Sequence, residues 1–295
     1  VYGHLGRFKP LKDADPALIL GVGGCVAQQE GERLLENIPY LDLVFGTHNV
    51  HKLPELVQRV TQKRERCRET DFLDRETRLR LFPRRSEGES VSRFVTVMQG
   101  CDNFCSYCVV PHVRGREVSR PSCDILDEIK ELAAGGVREV TLIGQNVNSY
   151  GRKEGGEISF AELLYRVDGI EGIERVRFTT SHPKDLSDEL IAAFGELATL
   201  CHHIHLPVQC GSDRILQAMN RGYSRAECLD KVRRLKAVCP DLRLTSDIIV
   251  GFPGEEEADF EETLSLVAEV RFADLFSFLY SSRPGTAAAA LTETT

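Results

Sequence analysis

From Ser92 onward the chain repeats one unit, an apolar strand followed by an amphipathic helix. Strands are expected at Phe94–Met98, Glu139–Ile143, Arg175–Thr179, His203–Leu206, Leu244–Val250 and Leu275–Leu279. Between them, helical periodicity covers Ile125–Ala134, Phe160–Val167, Ser187–Phe194, Ser212–Met219 with Arg225–Val238, and Glu256–Val270. Such alternation implies an α/β fold, a parallel sheet with helices outside it. Six units fit an open partial barrel better than the closed eight-unit form. Sites in such barrels gather where the strands end. Here the ends read Gln99-Gly100-Cys101, Gly144-Gln145-Asn146-Val147-Asn148, Thr180-Ser181-His182-Pro183, Pro207-Val208-Gln209, Gly251-Phe252-Pro253-Gly254-Glu255 and Tyr280-Ser281-Ser282-Arg283. Any one of them is ordinary turn and capping chemistry. Six on one rim outline a polar cavity, with Gln145, Asn146, Ser181, His182 and Gln209 as candidate lining residues. Among them only His182 is a candidate proton carrier, and helix capping is its plainer role.

The first strand end carries Cys101, Cys105 and Cys108 at C-x3-C-x2-C spacing. A short loop lets three thiolates converge on a soft metal centre. Structural zinc takes four ligands, and no fourth Cys or His completes a compact set, His112 and Cys123 being farther along. Three cysteines on a four-iron cluster leave one iron open to a substrate. A zinc loop completed by a distant ligand is the alternative.

Residues 1–57 read as a small α/β unit, with strands at Leu18–Val22 and Leu43–Gly46 and helical patterns through Leu34-Leu35 and from Pro54. Cys25 follows the first strand and the pair Gly23-Gly24; on sequence physics alone such a cysteine is inert packing more often than a ligand. Residues 58–91 form a charged connector, with ten Arg or Lys against five Asp or Glu between Arg59 and Arg85. A solvated linker and a phosphate-binding surface both fit that balance. Gly88 and its neighbouring serines mark the boundary. The 295 residues carry a net charge of −8, which argues mildly against a whole-surface nucleic-acid binder. No apolar run approaches the roughly 20 residues needed to cross a bilayer, and no signal peptide is present. Ten cysteines, three of them in a metal-type loop, suit a reducing cytoplasm better than a disulfide scaffold.

Cys101, Cys105 and Cys108, with Tyr107 beside the third, resemble the signature of radical S-adenosylmethionine enzymes. The flanks Cys108-Val109-Val110-Pro111 and Arg114-Gly115-Arg116-Glu117-Val118-Ser119-Arg120-Pro121 resemble the methylthiotransferases, and within them the MiaB type. Gly144-Gln145-Asn146-Val147-Asn148 and Val109-Val110-Pro111-His112 are similar to the isopentenyladenosine type more than to the threonylcarbamoyladenosine or ribosomal-protein types. The resemblance implies a small N-terminal methylthiotransferase domain, then a partial (β/α)6 radical barrel over 92–286.

It also implies an activity, insertion of a methylthio group at C2 of N6-isopentenyladenosine beside the anticodon of tRNA. An aromatic C–H of this kind has no useful acidity and no leaving group, which is why a radical route is needed. Two [4Fe-4S] clusters are implied, one on Cys101, Cys105 and Cys108, the other partly on Cys25. S-adenosylmethionine is expected at Tyr107, Gln145, Asn146, Ser181, Gln209 and Gly254. Phosphate contacts are expected from Arg114, Arg116 and Arg120, with pairing to nearby carboxylates such as Glu117 as the alternative. An electron donor of flavodoxin or ferredoxin type is implied, and no membrane.

Gly24-Cys25-Val26-Ala27-Gln28 resembles the third of three cysteine motifs for the second cluster. The first two are expected upstream, and a tRNA-binding TRAM β-barrel beyond the tail 287–295. On that reading the chain is a fragment that keeps one cluster and does not itself methylthiolate tRNA. Cys67, Cys123, Cys201, Cys228 and Cys239 carry no ligand pattern, and Cys210 stands where the family more often has serine. A non-catalytic iron–sulfur or zinc RNA-binding module is the rival from another class.

Overall fold

In the computed structural model, which describes residues 1–82, 90–152 and 158–291, the chain divides into two units. The first holds Val1–Leu81 together with Val110–Gly115. It opens with helix α1 (Tyr2–Ala14), followed by β1 (Gly21–Gly23), α2 (Cys25–Glu30), α3 (Glu32–Asn37) and β2 (Leu43–Phe45). Then come α4 (Leu53–Lys63), β3 (Cys67–Glu69) and α5 (Arg75–Arg80). The strands form a parallel sheet in the order β1-β2-β3. Alternation along β2 sends Val44 into one apolar cluster with Leu5, Ala27, Leu34 and Leu35, and Leu43 into another with Leu56, Val60 and Cys67. Leu56 and Val60 are one helical turn apart, so α4 buries a single stripe.

Two expectations change here. The stretch 58–91 was expected to be a connector. Its first part finishes α4 and supplies the third strand of the sheet, with Cys67 buried, so the first unit continues to Leu81. The charge excess masked a strand only three residues long. Helix α1 was not expected, because its pattern is polar and interrupted by Pro10. The proposed boundary at Gly88 lies outside the described residues.

The second unit, Phe82–Val109 with Arg116–Thr295, carries the repeated strand-and-helix units. Strand β4 (Ser92–Thr96) ends earlier than expected. After Val97 the chain leaves the sheet, and β5 (Met98–Gln99) pairs antiparallel with β6 (Val118–Ser119). Helix α6 (Val110–Arg114), lying between these two strands in sequence, belongs to the first unit. There follow α7 (Ser122–Ala134), β7 (Glu139–Ile143), α8 (Phe160–Asp168), β8 (Arg175–Thr179) and α9 (Asp188–Glu196). Next come β9 (His203–His205), α10 (Asp213–Ala218), α11 (Arg225–Val238), β10 (Arg243–Val250), α12 (Glu257–Val270) and β11 (Asp274–Leu279).

All pairings among the six main strands are parallel, β4-β7-β8 and β9-β10-β11, joined by a bridge at Val176 and Leu200. One face is apolar: Val95, Val140, Leu142, Val176 and Phe178 pack into the main core with the helices. Each fully buried aliphatic side chain there contributes about 1.5–3 kcal/mol. The other face is polar. Glu139 takes hydrogen bonds from Arg175 at 2.9 Å and Ser92 at 3.2 Å, and His205 bonds Thr245 at 3.0 Å. The alanine run, expected to be a tail, is part of this unit: Ala288 is buried and donates its N–H to the Ser106 carbonyl at 2.8 Å. Residues 292–295 lie outside the described residues.

Candidate metal and cofactor site

The cysteine loop starts at Gly100, whose φ of 81° is one glycine adopts freely, and whose N–H donates to Gln145 Oε1 at 2.6 Å. Gln145 thus braces the loop against the end of β7. The Ser106 N–H and hydroxyl reach the carbonyls of Met219 (2.9 Å) and Ala218 (2.8 Å) after α10. Asn220 donates to the Phe104 carbonyl at 2.9 Å. Lys184 bonds Asn103 at 2.6 Å, and Asp102 receives the Glu117 N–H at 3.1 Å. The loop is therefore held from the ends of β7 and β8 and from the turn after α10.

Cys101 and Cys105 are buried and Cys108 is half-buried; all three are free thiols. Burial pushes the Cys101 thiol up to about 12, so it ionises only if a bound metal displaces its proton. Among the described residues only His202, Cys239 and Asp241 bring three possible ligand atoms within 4.8 Å of one another. The loop thiols are spread more widely than ligands of a single zinc ion, which bind at about 2.3 Å. That spread suits a multi-iron group.

His182 caps the turn after β8. Its Nδ1 accepts the Lys184 N–H at 3.2 Å, and its Nε2 lies 4.0 Å from Cys105 Sγ. Burial, with Arg221, Lys184 and Lys231 nearby, lowers its pKa to about 2. The ring is neutral at physiological pH, and the capping role holds. Asn148 fixes it through the His182 carbonyl (2.9 Å) and N–H (3.0 Å).

Three other expected rim residues share a property. Asn146 donates to Asp185 at 2.7 Å, yet its Oδ1 is buried without a partner. Ser181 Oγ and Gln209 Oε1 are also buried and unpartnered. Orphaned buried polar atoms are costly, and water or a bound polar group would satisfy them. Gln209 is in addition held at φ 72°, uncommon for a side-chain-bearing residue, by hydrogen bonds to Asp247 and Ile249 of β10. At Gly254, φ 81°, an added Cβ would meet open space. Tyr107 packs in a small apolar cluster with Phe252 and Met219, its hydroxyl 3.2 Å from Arg221. These donors and acceptors fit an amino-acid-bearing cofactor beside the thiols.

A cavity of about 720 Å³, lined by Leu126, Lys130, Ala133, Arg166 and Ile170, lies between α7 and α8 and involves none of the expected residues.

The expected phosphate contacts divide. Arg120 is buried and paired with Glu128, also donating to the Asp124 carbonyl at 3.1 Å, so it is a core residue and not a phosphate ligand. Arg116 is exposed and ion-paired with Asp102 at 2.7 Å. Arg114 belongs to the first unit, where its carbonyl bonds His48 at 3.0 Å. Cys25, half-buried at the start of α2, also lies in that unit.

Sequence reasoning missed Arg221 and Asp185, and placed Asn148 on the rim without a role of its own. Asp185 joins Asn146 to Arg152 (3.0 Å), and Arg221 places its Nη1 3.4 Å from Cys105 Sγ. Arg221 falls between the helical patterns Ser212–Met219 and Arg225–Val238, where nothing local signals the reach of its side chain.

Parallel strands ending at a three-cysteine loop define a class, and a comparison of families agrees: the radical SAM superfamily matches residues 95–267. The chain belongs to that superfamily, which implies a [4Fe-4S] cluster and S-adenosylmethionine. It is 62% identical over 99% of its length to tRNA-2-methylthio-N(6)-dimethylallyladenosine synthase of Syntrophotalea carbinolica. The protein of that name in Geobacter metallireducens is 66% identical, again over 99%. The chain spans 66% of the length of each of these relatives. Among solved structures it is similar in fold to the cobalamin-dependent S-adenosylmethionine radical enzyme OxsB (TM-score 0.60, 12% identity, 84% of this chain and 39% of that one). It also resembles the radical S-adenosylmethionine methyltransferase TsrM from Kitasatospora setae (TM-score 0.56, 16% identity, 66% of this chain and 38% of that one).

Proposed function

We propose that the chain is the catalytic core of a tRNA methylthiotransferase that exchanges the C2 hydrogen of N6-isopentenyladenosine for a methylthio group. The observation that carries this is the braced loop of Cys101, Cys105 and Cys108 beside the orphaned polar atoms of Asn146, Ser181 and Gln209. The substrate follows from the relatives' names and their identity of 62% and 66%.

Cys101, Cys105 and Cys108 would hold the cluster, and Cys25 one corner of a second. When bound, the cluster and S-adenosylmethionine supply one-electron chemistry for hydrogen abstraction. Gln145 and Ser106 keep the loop in place. Asn146, Ser181 and Gln209 offer hydrogen-bond partners to the polar groups of S-adenosylmethionine. His182 stays neutral and fills space beside Cys105 without moving a proton. Placement of this kind is the protein's share of such catalysis. Arg116 and Arg114 remain as candidate tRNA phosphate contacts. Electrons would come from a donor of flavodoxin or ferredoxin type, in the cytoplasm.

The test is mass spectrometry of nucleosides from isopentenylated tRNA incubated anaerobically with reconstituted protein, reductant and S-adenosylmethionine. Product is expected when the chain works within a full-length protein like its relatives. A full-length protein bearing both clusters and yielding no methylthio nucleoside would overturn the substrate assignment.

A further inference from the structure

Arg221 sits in the turn after α10, between Asn220 at φ 56° and Gly222 at φ 67°, its N–H bonded to the Leu216 carbonyl at 2.9 Å. The residue is 4% exposed. Its Nη1 donates toward Cys105 Sγ at 3.4 Å and Tyr107 Oη at 3.2 Å, and Nη2 donates to the Pro207 carbonyl. The guanidinium lies 5.4 Å from the Tyr223 ring centroid, and its Nε is buried without a partner.

What is missing, among the described residues, is a counter-charge. The other deeply buried arginine of this unit, Arg120, meets Glu128. No carboxylate among the described residues lies within 4.0 Å of the Arg221 guanidinium. An unpaired buried cation is strongly unfavourable, and arginine cannot shed its proton to escape the cost. Carbonyls and phenols satisfy its hydrogen bonds without cancelling its charge. Among the described neighbours, Cys105 is the one whose side chain metal binding would turn into an anion, a thiolate. His182 adds a second, neutral donor: with Nδ1 accepting from Lys184, the ring proton sits on Nε2, facing the same sulfur.

We propose that Arg221 is the built-in counter-cation of the iron–sulfur cluster, a positioning residue that hydrogen-bonds the Cys105 thiolate and raises the cluster's reduction potential. The inference rests on the reading of Cys105 as a cluster ligand. Reduction adds one electron, drawn from an external low-potential reductant, and breaks no bond; the extra negative charge develops next to the guanidinium. Hydrogen bonds to the sulfurs and net charge are recognised determinants of such potentials. Because arginine stays charged, this contribution holds from about pH 6 to 9.

The test compares the wild-type chain with R221Q and R221K after anaerobic reconstitution, by iron and sulfide content and then by an EPR-monitored redox titration. For R221Q with full iron content, the reduced-to-oxidised ratio at fixed poise should fall at least tenfold, about 59 mV for a one-electron couple. R221K should recover part of the difference. An unchanged potential in iron-replete R221Q overturns the inference. If R221Q does not hold iron, the wild type decides: with 15N-guanidine-labelled arginine, pulsed EPR of the reduced cluster should show a 15N coupling, and its absence overturns the inference. A wild-type chain that forms no cluster refutes the reading of the loop itself, and the role of Arg221 with it.

Discussion

Cys101, which opens the loop of Cys105 and Cys108, and Cys25 each directly follow a positive-φ glycine, Gly100 at 81° and Gly24 at 101°. Around Cys105 every nearby element contributes a hold: Gln145 on Gly100, Met219 and Ala218 on Ser106, Asn220 on Phe104, Arg221 on the sulfur. The unit around Cys25 holds one other free cysteine, Cys67, buried with Leu43, Leu56 and Val60, and it has unspent polar groups instead of clamps. Asn49 is fully buried with neither amide atom bonded, and Gln28, one turn along from Cys25, has an unpartnered Oε1. A glycine turn can present a cysteine, but pre-organising it takes a surrounding set of donors and packed residues. By that measure the triad's site is built within its own unit, and the surroundings of Cys25 are not.

The largest effect that could break this comparison is on iron. Replacing Cys101, Cys105 and Cys108 by Ala should abolish cluster binding to the chain, whereas Cys25→Ala should leave it nearly intact. Iron analysis after reconstitution decides it, and a large loss in Cys25→Ala would erase the contrast. Next comes Arg120, read from sequence as a phosphate contact and found in the core. Arg120→Ala strands Glu128 and should cost about 3–5 kcal/mol of stability, measured by denaturant unfolding. Arg116→Ala should change stability little and act on the salt dependence of RNA binding.

That reversal shows what the sequence could and could not convey. Strand and helix positions were legible because Val140 and Leu142, or Leu163 and Val167, repeat with the period of their element. The cysteine loop was legible because its three cysteines are local in sequence. Arg221 and Asp185 were not, since their roles depend on partners far along the chain: Arg221 meets a sulfur 116 residues away, and Asp185 an amide 39 residues away, whereas Arg120 pairs with Glu128 only eight residues on and it is its burial that sequence does not reveal. Strand β3 was hidden by brevity and charge, and identified only by its pairing with β2.

A third prediction probes the scaffold beneath the Arg221 turn. Asp259 on α12 grips α10 through Ser212 (2.6 Å) and Arg214. Burial pushes its pKa up, but Arg214 and Ser212 outweigh it and hold the carboxyl at about 2, below its ordinary 3.8. Because the folded value is the lower one, the stabilisation is complete above pH 3.8 and lost as pH falls toward 2. It amounts to about 2 kcal/mol. Asp259→Asn should remove that acid-range slope in unfolding experiments. A smaller effect is expected at the rim: Asn146→Ala, Ser181→Ala and Gln209→Ala should each weaken S-adenosylmethionine binding by about 0.5–1.5 kcal/mol, roughly 2- to 10-fold in Kd. Equilibrium binding to reconstituted protein would show it.

The central claim is that the braced triad and the rim together form a working S-adenosylmethionine site. Its most direct test is reductive cleavage of S-adenosylmethionine by the anaerobically reconstituted chain without RNA, followed as release of 5′-deoxyadenosine. Cleavage is predicted for the wild type and for Cys25→Ala, and none for Cys105→Ala. A wild-type chain that carries its full cluster and a strong reductant yet releases no deoxyadenosine would contradict the account.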